Sequence, residues 1–322
     1  MILTDRYFAV RFVLWASITF LLKDDGKCAI IDIIVALYAR ITEIIHNMEQ
    51  KRGIHMIKLI ASDMDGTLLN DRKELPEDFF DVLDQLEEHG IKFTVASGRS
   101  YDAVAHLFPE EYRSKLDFIC DNGANIYHDG KQAKYTPLER ATFEQLIRAC
   151  GEIGGLRVLV CAGRGTYHLE ADPAFTEEIA KYYKNHIPCD DLLSVDDIIY
   201  KVAVCDIQGT EKRAKPALDA IMGDKLNVQV SGPIWMDVMS AGVNKGSALK
   251  QLSELLGIDR SNVMAFGDYF NDAEMLRFAG WSFAMENGHP DVKRIARYLA
   301  RSNNENGVLR AVRKYALGEN AE

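Results

Sequence analysis

From residue 56 onward, short apolar runs alternate with amphipathic stretches. Residues 57–62 are mostly apolar, residues 76–88 carry apolar positions at helical spacing with Pro76 suited to a first turn, and residues 91–96 are again mostly apolar. This rhythm predicts strands joined by helical crossovers, the signature of a parallel, doubly wound α/β sheet. A helix from Tyr101, a strand at 117–120 and a hairpin through His128-Asp129-Gly130-Lys131 continue it, the Asp-Gly pair favouring a tight turn. Between 138 and about 227 the pattern changes to a helix, strands at 156–161 and 166–170, a helix from Pro173, a strand at 198–205 and a helix at 211–222. These pieces predict a separate α+β layer. The first rhythm resumes with a helix at 245–256, a strand at 263–266, a helix after Asp272, a strand at 281–285 and a helix at 290–299. The expected organisation is a core made of residues 56–137 and 228–322, with an α+β insert at 138–227.

Residues 1–55 stand apart. The stretch 7–22 is almost wholly apolar apart from Arg11, between the lengths of a secretory apolar region (about 7–15 residues) and a spanning helix (about 20). Downstream, Ile30, Ile34, Leu37, Ile41, Ile44 and Ile45 recur at the spacing of an amphipathic helix. Three readings are open: an appended or wrongly assigned start ahead of Met56, a membrane anchor, or a docked structural helix.

The chain has 322 residues, 48% of them hydrophobic, enough for a substantial core and, by length, about two domains. Its net charge of −10 and pI near 5.4 argue against nucleic-acid binding, because a phosphate backbone repels an acidic surface. Six cysteines (28, 120, 150, 161, 189 and 205) are scattered without a C-x-x-C pair. That spacing suggests reduced thiols in the cytoplasm and gives no sign of zinc.

In an open parallel sheet, ligands bind beyond the carboxyl ends of the strands. Three polar clusters fall there: Asp63-Met64-Asp65-Gly66-Thr67, Ser97-Gly98-Arg99, and Gly267-Asp268-Tyr269-Phe270-Asn271-Asp272. Asp63 and Asp65, two apart at a strand end, project to the same side and repel each other unless a cation or a proton intervenes. A hard divalent cation fits such oxygen ligands. Asp268 would complete the site from another strand end, with Asn271 and Asp272 ligating through water or orienting the ligands. Ser97 and Gly98 offer a hydroxyl and approachable backbone amides ahead of a helix, a phosphate cradle. Arg99 reads as a solvated charge or an ion-pair partner. Lys245 would bring a positive charge to phosphate oxygens or to Asp63.

Together these motifs resemble the haloacid dehalogenase (HAD) superfamily, and within it the Cof-type phosphatases, whose large cap lies between the second and third motifs. The matching residues are DMDGTLL (63–69), SGR (97–99), DNGA (121–124), GVNKGSAL (242–249), GDYFNDAEML (267–276) and AMENGHPDVK (284–293). The resemblance implies a Rossmann-like core with an inserted cap. It also implies a Mg²⁺-dependent phosphatase in which Asp63 is the nucleophile and Asp65 the acid and base. Ser97, Gly98 and Lys245 would hold the phosphoryl group, and Asp63, the Asp65 backbone carbonyl and Asp268 would hold the metal. Related phosphoryl-transfer ATPases typically carry Thr at the position of Asp65, so this chain reads as a hydrolase. The substrate expected is a small phosphorylated metabolite, a sugar phosphate first. A phosphomutase and a non-catalytic phosphosugar-binding regulator are the alternatives. Polar cap residues that could face substrate are Arg157, Arg164, Tyr167, His168 and Lys201. Gly288 stands where the family usually has Ala.

Overall fold

The computed structural model describes residues 57–170 and 173–319. The segments 7–22 and 29–48, and with them the three readings of residues 1–55, lie outside the described residues. Among the described residues no helix is long and apolar enough to cross a membrane.

The core begins with β1 (Leu59–Asp63), α1 (Phe79–Glu88), β2 (Lys92–Ala96), α2 (Tyr101–Ala105), α3 (Glu110–Arg113), β3 (Leu116–Cys120), β4 (Asn125–His128) and β5 (Lys131–Tyr135). The insert follows with α4 (Arg140–Ile153), β6 (Arg157–Ala162), β7 (Gly165–Leu169), α5 (Pro173–Tyr182), β8 (His186–Cys189), β9 (Ile199–Cys205), α6 (Lys215–Met222), β10 (Leu226–Val230) and β11 (Trp235–Ser240). The chain returns to the core with α7 (Lys245–Leu255), β12 (Val263–Gly267), α8 (Ala273–Phe278), β13 (Trp281–Met285), α9 (Pro290–Lys293), β14 (Tyr298–Ala300) and α10 (Gly307–Tyr315).

The core sheet has the order β14-β13-β12-β1-β2-β3-β4-β5. It is parallel from β14 to β3, and β4 and β5 add an antiparallel edge. β1 and β3 are buried along their whole length, which is why they read as mostly apolar runs and not as an alternating pattern: a parallel sheet is covered on both faces. Ile60, Phe93 and Phe118 pack to one side with Phe79 and Phe108. Leu59, Ala61 and Ile119 pack to the other with Leu249 and Leu252 of α7. Because β2 lies on one side of β1 and β12 on the other, the strand order reverses at β1. A crevice opens at such a reversal, beyond the carboxyl ends of the strands.

The cap sheet has the order β10-β11-β9-β6-β7-β8. Phe143, Leu146, Leu218 and Met222 of α4 and α6 cover one face. Phe175 and Ile179 of α5 pack with Leu159, Cys161, Ala203 and Cys205, the alternate set of strand positions. Two expectations are corrected here. The core was expected to resume at residue 228, but β10 and β11 pair with the cap sheet, so the insert runs to Ser240. The helix expected at 290–299 ends at Lys293, and Tyr298–Ala300 forms the edge strand β14 against β13. There the Tyr298 ring stacks with Trp281 and Phe283, so cross-strand aromatic packing overrides a helix-like local pattern. Smaller shifts accompany these. The first core helix starts at Phe79 and not Pro76, and the expected 211–222 helix opens with a π-helical turn, Thr210–Ala214.

Candidate active site

β1 delivers Asp63 to the crevice, and Gly66 then turns the chain away at φ +80°. A Cβ on Gly66 would stand 2.6 Å from Asp268 Oδ2, so only glycine lets the first motif close on the loop after β12. Thr67 Oγ1 donates to Asp268 Oδ1 at 3.1 Å and fixes that carboxylate.

Lys245 is the first residue of α7. Its position is set by a capping box in which the Asn244 side chain accepts from Ser247 N and the Ser247 side chain accepts from Asn244 N. The ammonium is fully buried, 2.5 Å from Asp63 Oδ1 and 2.7 Å from Asp272 Oδ1. Burial alone would favour neutral lysine, but the charges of Asp272 and Asp63 outweigh it and hold the group above its ordinary value. The other Asp272 oxygen accepts from the backbone N–H groups of Asp268 (2.9 Å) and Tyr269 (3.1 Å). Asp272 thus shapes the loop that presents Asp268.

Ligand oxygens of Asp63, Asp268 and Asp272 lie within 4.8 Å of one another. Burial, reinforced by the neighbouring carboxylates, pushes Asp63 well up and Asp268 up to about 7. One lysine cannot neutralise two buried carboxylates and a half-buried third, and this excess of negative oxygen suits a hard divalent cation.

The Asp65 carboxylate lies outside that cluster. It takes a two-pronged ion pair from Arg99 (Nη2–Oδ1 2.8 Å, Nε–Oδ2 3.1 Å) and a third contact from Lys73 Nζ (2.8 Å). Although partial burial opposes ionisation, Arg99 and Lys73 hold its carboxyl below the usual range. The repulsion expected between Asp63 and Asp65 is therefore met by separate cations, Lys245 for one and Arg99 with Lys73 for the other. Ser97 is buried, and its hydroxyl accepts from Arg99 N at 3.1 Å. Gly98 gives its carbonyl to Lys201 Nζ of the cap at 2.7 Å. Asn271 points at Asn122 Oδ1, 3.2 Å away.

Sequence reasoning did not single out Lys73, Asn122 or Asp237. Asn122 lay within the quoted DNGA motif, but nothing local to Lys73 or Asp237 sets them apart from surface charges. Of the polar cap candidates, Lys201 reaches the core. Arg164 and Tyr167 are engaged by Asp197, and His168 by the Leu169 carbonyl and His186.

This fold and site define a haloacid dehalogenase-like hydrolase. The model of that family matches residues 60–312, and the chain belongs to it. Over 260 residues it is 35% identical to the 5-amino-6-(5-phospho-D-ribitylamino)uracil phosphatase YbjI of Escherichia coli (strain K12), covering 80% of this chain and 96% of that protein. It is 30% identical to the HMP-PP phosphatase of Klebsiella pneumoniae (strain 342), covering 74% and 87% of the two chains. The structure of SMU.1108c from Streptococcus mutans UA159 superposes with a TM-score of 0.76 at 29% identity, over 82% of this chain and 100% of that one. The protein is a phosphatase of this family.

Proposed function

We propose that the protein hydrolyses phosphate monoesters of small sugar or polyol metabolites in a Mg²⁺-dependent reaction that passes through an aspartyl-phosphate on Asp63. The observation that carries this reading is the buried Lys245 ammonium held between Asp63 and Asp272 beside Asp268, at the point where strand order reverses. An Asp63 oxygen attacks phosphorus, the bond from phosphorus to the alcohol oxygen breaks, and the leaving alkoxide takes a proton from Asp65. Water, giving its proton to Asp65, then attacks the same phosphorus. The acyl-phosphate bond breaks, inorganic phosphate leaves, and the Asp63 carboxylate returns.

Lys245, the Ser97 hydroxyl and the Gly98 N–H meet the phosphoryl oxygens. Asp63, Asp268 and the Asp65 carbonyl would hold Mg²⁺, which when bound would supply the charge neutralisation that lets an anionic nucleophile approach an anionic ester. In the arrangement described, Asp65 is in its base form. Donating a proton in the first step requires that substrate loosen its hold by Arg99 and Lys73. The polyol class is favoured by the phosphoribityl substrate in the name of the Escherichia coli relative. The free thiols of Cys120, Cys150, Cys161, Cys189 and Cys205 support a reducing, cytoplasmic setting.

The test is a screen of phosphorylated metabolites with Mg²⁺, comparing wild type with Asp63→Asn. A loss of at least about 10³-fold in kcat is expected. Wild-type turnover by the variant would rule out Asp63 as the nucleophile.

A further inference from the structure

Between the cap and the core lies a buried ion pair that the chemistry above does not use. Lys201 of β9 and Asp237 of β11 are 2% and 4% exposed, and Lys201 Nζ is 3.0 Å from Asp237 Oδ1. Both side chains come from the cap sheet, and both reach the core. Lys201 donates to the Gly98 carbonyl at 2.7 Å, and Asp237 Oδ2 accepts from Asn122 Nδ2 at 2.7 Å. Asn122 in turn holds two parts of the site. Its backbone N–H donates to the Ser97 carbonyl at 3.1 Å, and its Oδ1 accepts from Asn271 Nδ2 at 3.2 Å. Space here is tight: a Cβ on Gly98 would stand 3.1 Å from Asn122 Nδ2.

We propose that Lys201 and Asp237 are positioning residues, a polar latch by which the docked cap sets the Ser97-Gly98 phosphate loop and, through Asn122, the Asn271 end of the acidic loop. The charge balance suits a contact that is made and broken. A lone buried lysine or aspartate would be costly, but the two neutralise each other on the cap. Beyond their mutual contact, the Lys201 ammonium keeps N–H donors to spare and Asp237 keeps its second carboxylate oxygen. These match the two core groups they meet, a carbonyl acceptor and an amide donor, so docking brings no net charge to the core and leaves both partners satisfied. The same contacts immobilise the backbone whose N–H groups are to face a phosphoryl group. In the positions described, then, the catalytic loops are ordered by cap docking before chemistry.

The inference rests on the proposed phosphatase site, and p-nitrophenyl phosphate with Mg²⁺ serves as the probe. Lys201→Met alone strands Asp237 as a buried unpaired charge, so the working variant is Lys201→Met with Asp237→Asn, which removes both charges together. Expected are a melting temperature within a few degrees of wild type, a fall in kcat of about tenfold or more, and KM changed by less than about threefold. Lys201→Arg, which keeps the charge and the donors, should recover part of the lost kcat. Combined with Asn271→Ala, the double variant should lose less than the product of the two separate losses, because one hydrogen-bonded chain is being cut twice.

Wild-type kcat with a lowered melting temperature would reduce the pair to a structural contact. A raised KM at unchanged kcat would make it a substrate contact instead, and losses that multiply in full would break the link to Asn271; each result overturns the proposal. Asp63→Asn, assayed alongside, separates the two levels. If it keeps turnover, the reaction assignment fails, whereas if it is inactive while the latch variant has normal kcat, only the latch fails.

Discussion

Gly66 and Asp268 compete for the same space, and that competition makes glycine a functional residue. Gly66→Ala must both adopt φ +80° and displace Asp268 Oδ2 from 2.6 Å. The expected result is a folded enzyme whose activation by Mg²⁺ is weakened by about 10–100-fold. An unchanged Mg²⁺ titration would mean that the placement of Asp268 does not govern the cation. Asp121 offers a second test at this scale. It is 3% exposed, one of its oxygens has no hydrogen-bond partner, and burial raises it to about 6 even though Lys201 pulls the other way. The unfolded chain ionises this group near about 3.9. The advantage of keeping it protonated is therefore complete below that value and is lost as pH rises through about 6, leaving a penalty on the order of 3 kcal/mol at pH 8. Asp121→Asn keeps a side chain suited to φ +51° and removes the charge. Its melting temperature should exceed that of wild type by more at pH 8 than at pH 5, and an equal difference at both would contradict the assignment. The residue types of the site were legible in the motif runs. The reach of Lys245 to Asp63 was legible too, and Arg99 was open to an ion pair, but its partner and the part of Lys73 were not, since both converge on Asp65 only once separate loops have folded back.

At the scale of elements, patterning located most of the core strands and missed β8, β10, β11 and β14, whose identity comes from tertiary pairing. β13 falls at Trp281–Met285 as expected, whereas β14 lies in the expected helix and β8, β10 and β11 were not foreseen. An edge strand of three or four residues has too few positions to show a period of two, and its identity comes from pairing with a distant segment. The start of α6 depends on such a pairing too. Asp206, just past β9, is buried and takes two hydrogen bonds from Arg213 (2.8 and 2.9 Å), which also reaches the Gly154 carbonyl at 3.2 Å. Those Arg213 hydrogen bonds hold Asp206 below its ordinary carboxylate value. Arg213→Ala strands that carboxylate and should destabilise the fold by about 2–4 kcal/mol, measured by urea unfolding. A cost below about 0.5 kcal/mol would mean that the pair contributes no more than an exposed one.

At the scale of the molecule, residues 56–322 form a compact unit by themselves, and the family match lies within it. A chain beginning at Met56 should therefore fold and turn over p-nitrophenyl phosphate at a rate within about twofold of the full chain. Loss of folding or activity would show that residues 1–55 contribute to the enzyme. The sequence by itself determined the alternation of strand and helix, the family, and the placing of Asp63, Ser97 and Asp268 at strand ends, because strand burial and turn chemistry are local and leave a periodic trace. Only the tertiary structure decided that the cap takes β10 and β11, that Asp65 is held by Arg99 and Lys73, and that Lys201 of the cap meets Gly98 of the core, 103 positions away. Contacts at that separation follow from which strands pair and how the two sheets dock, and no short window of sequence carries that information.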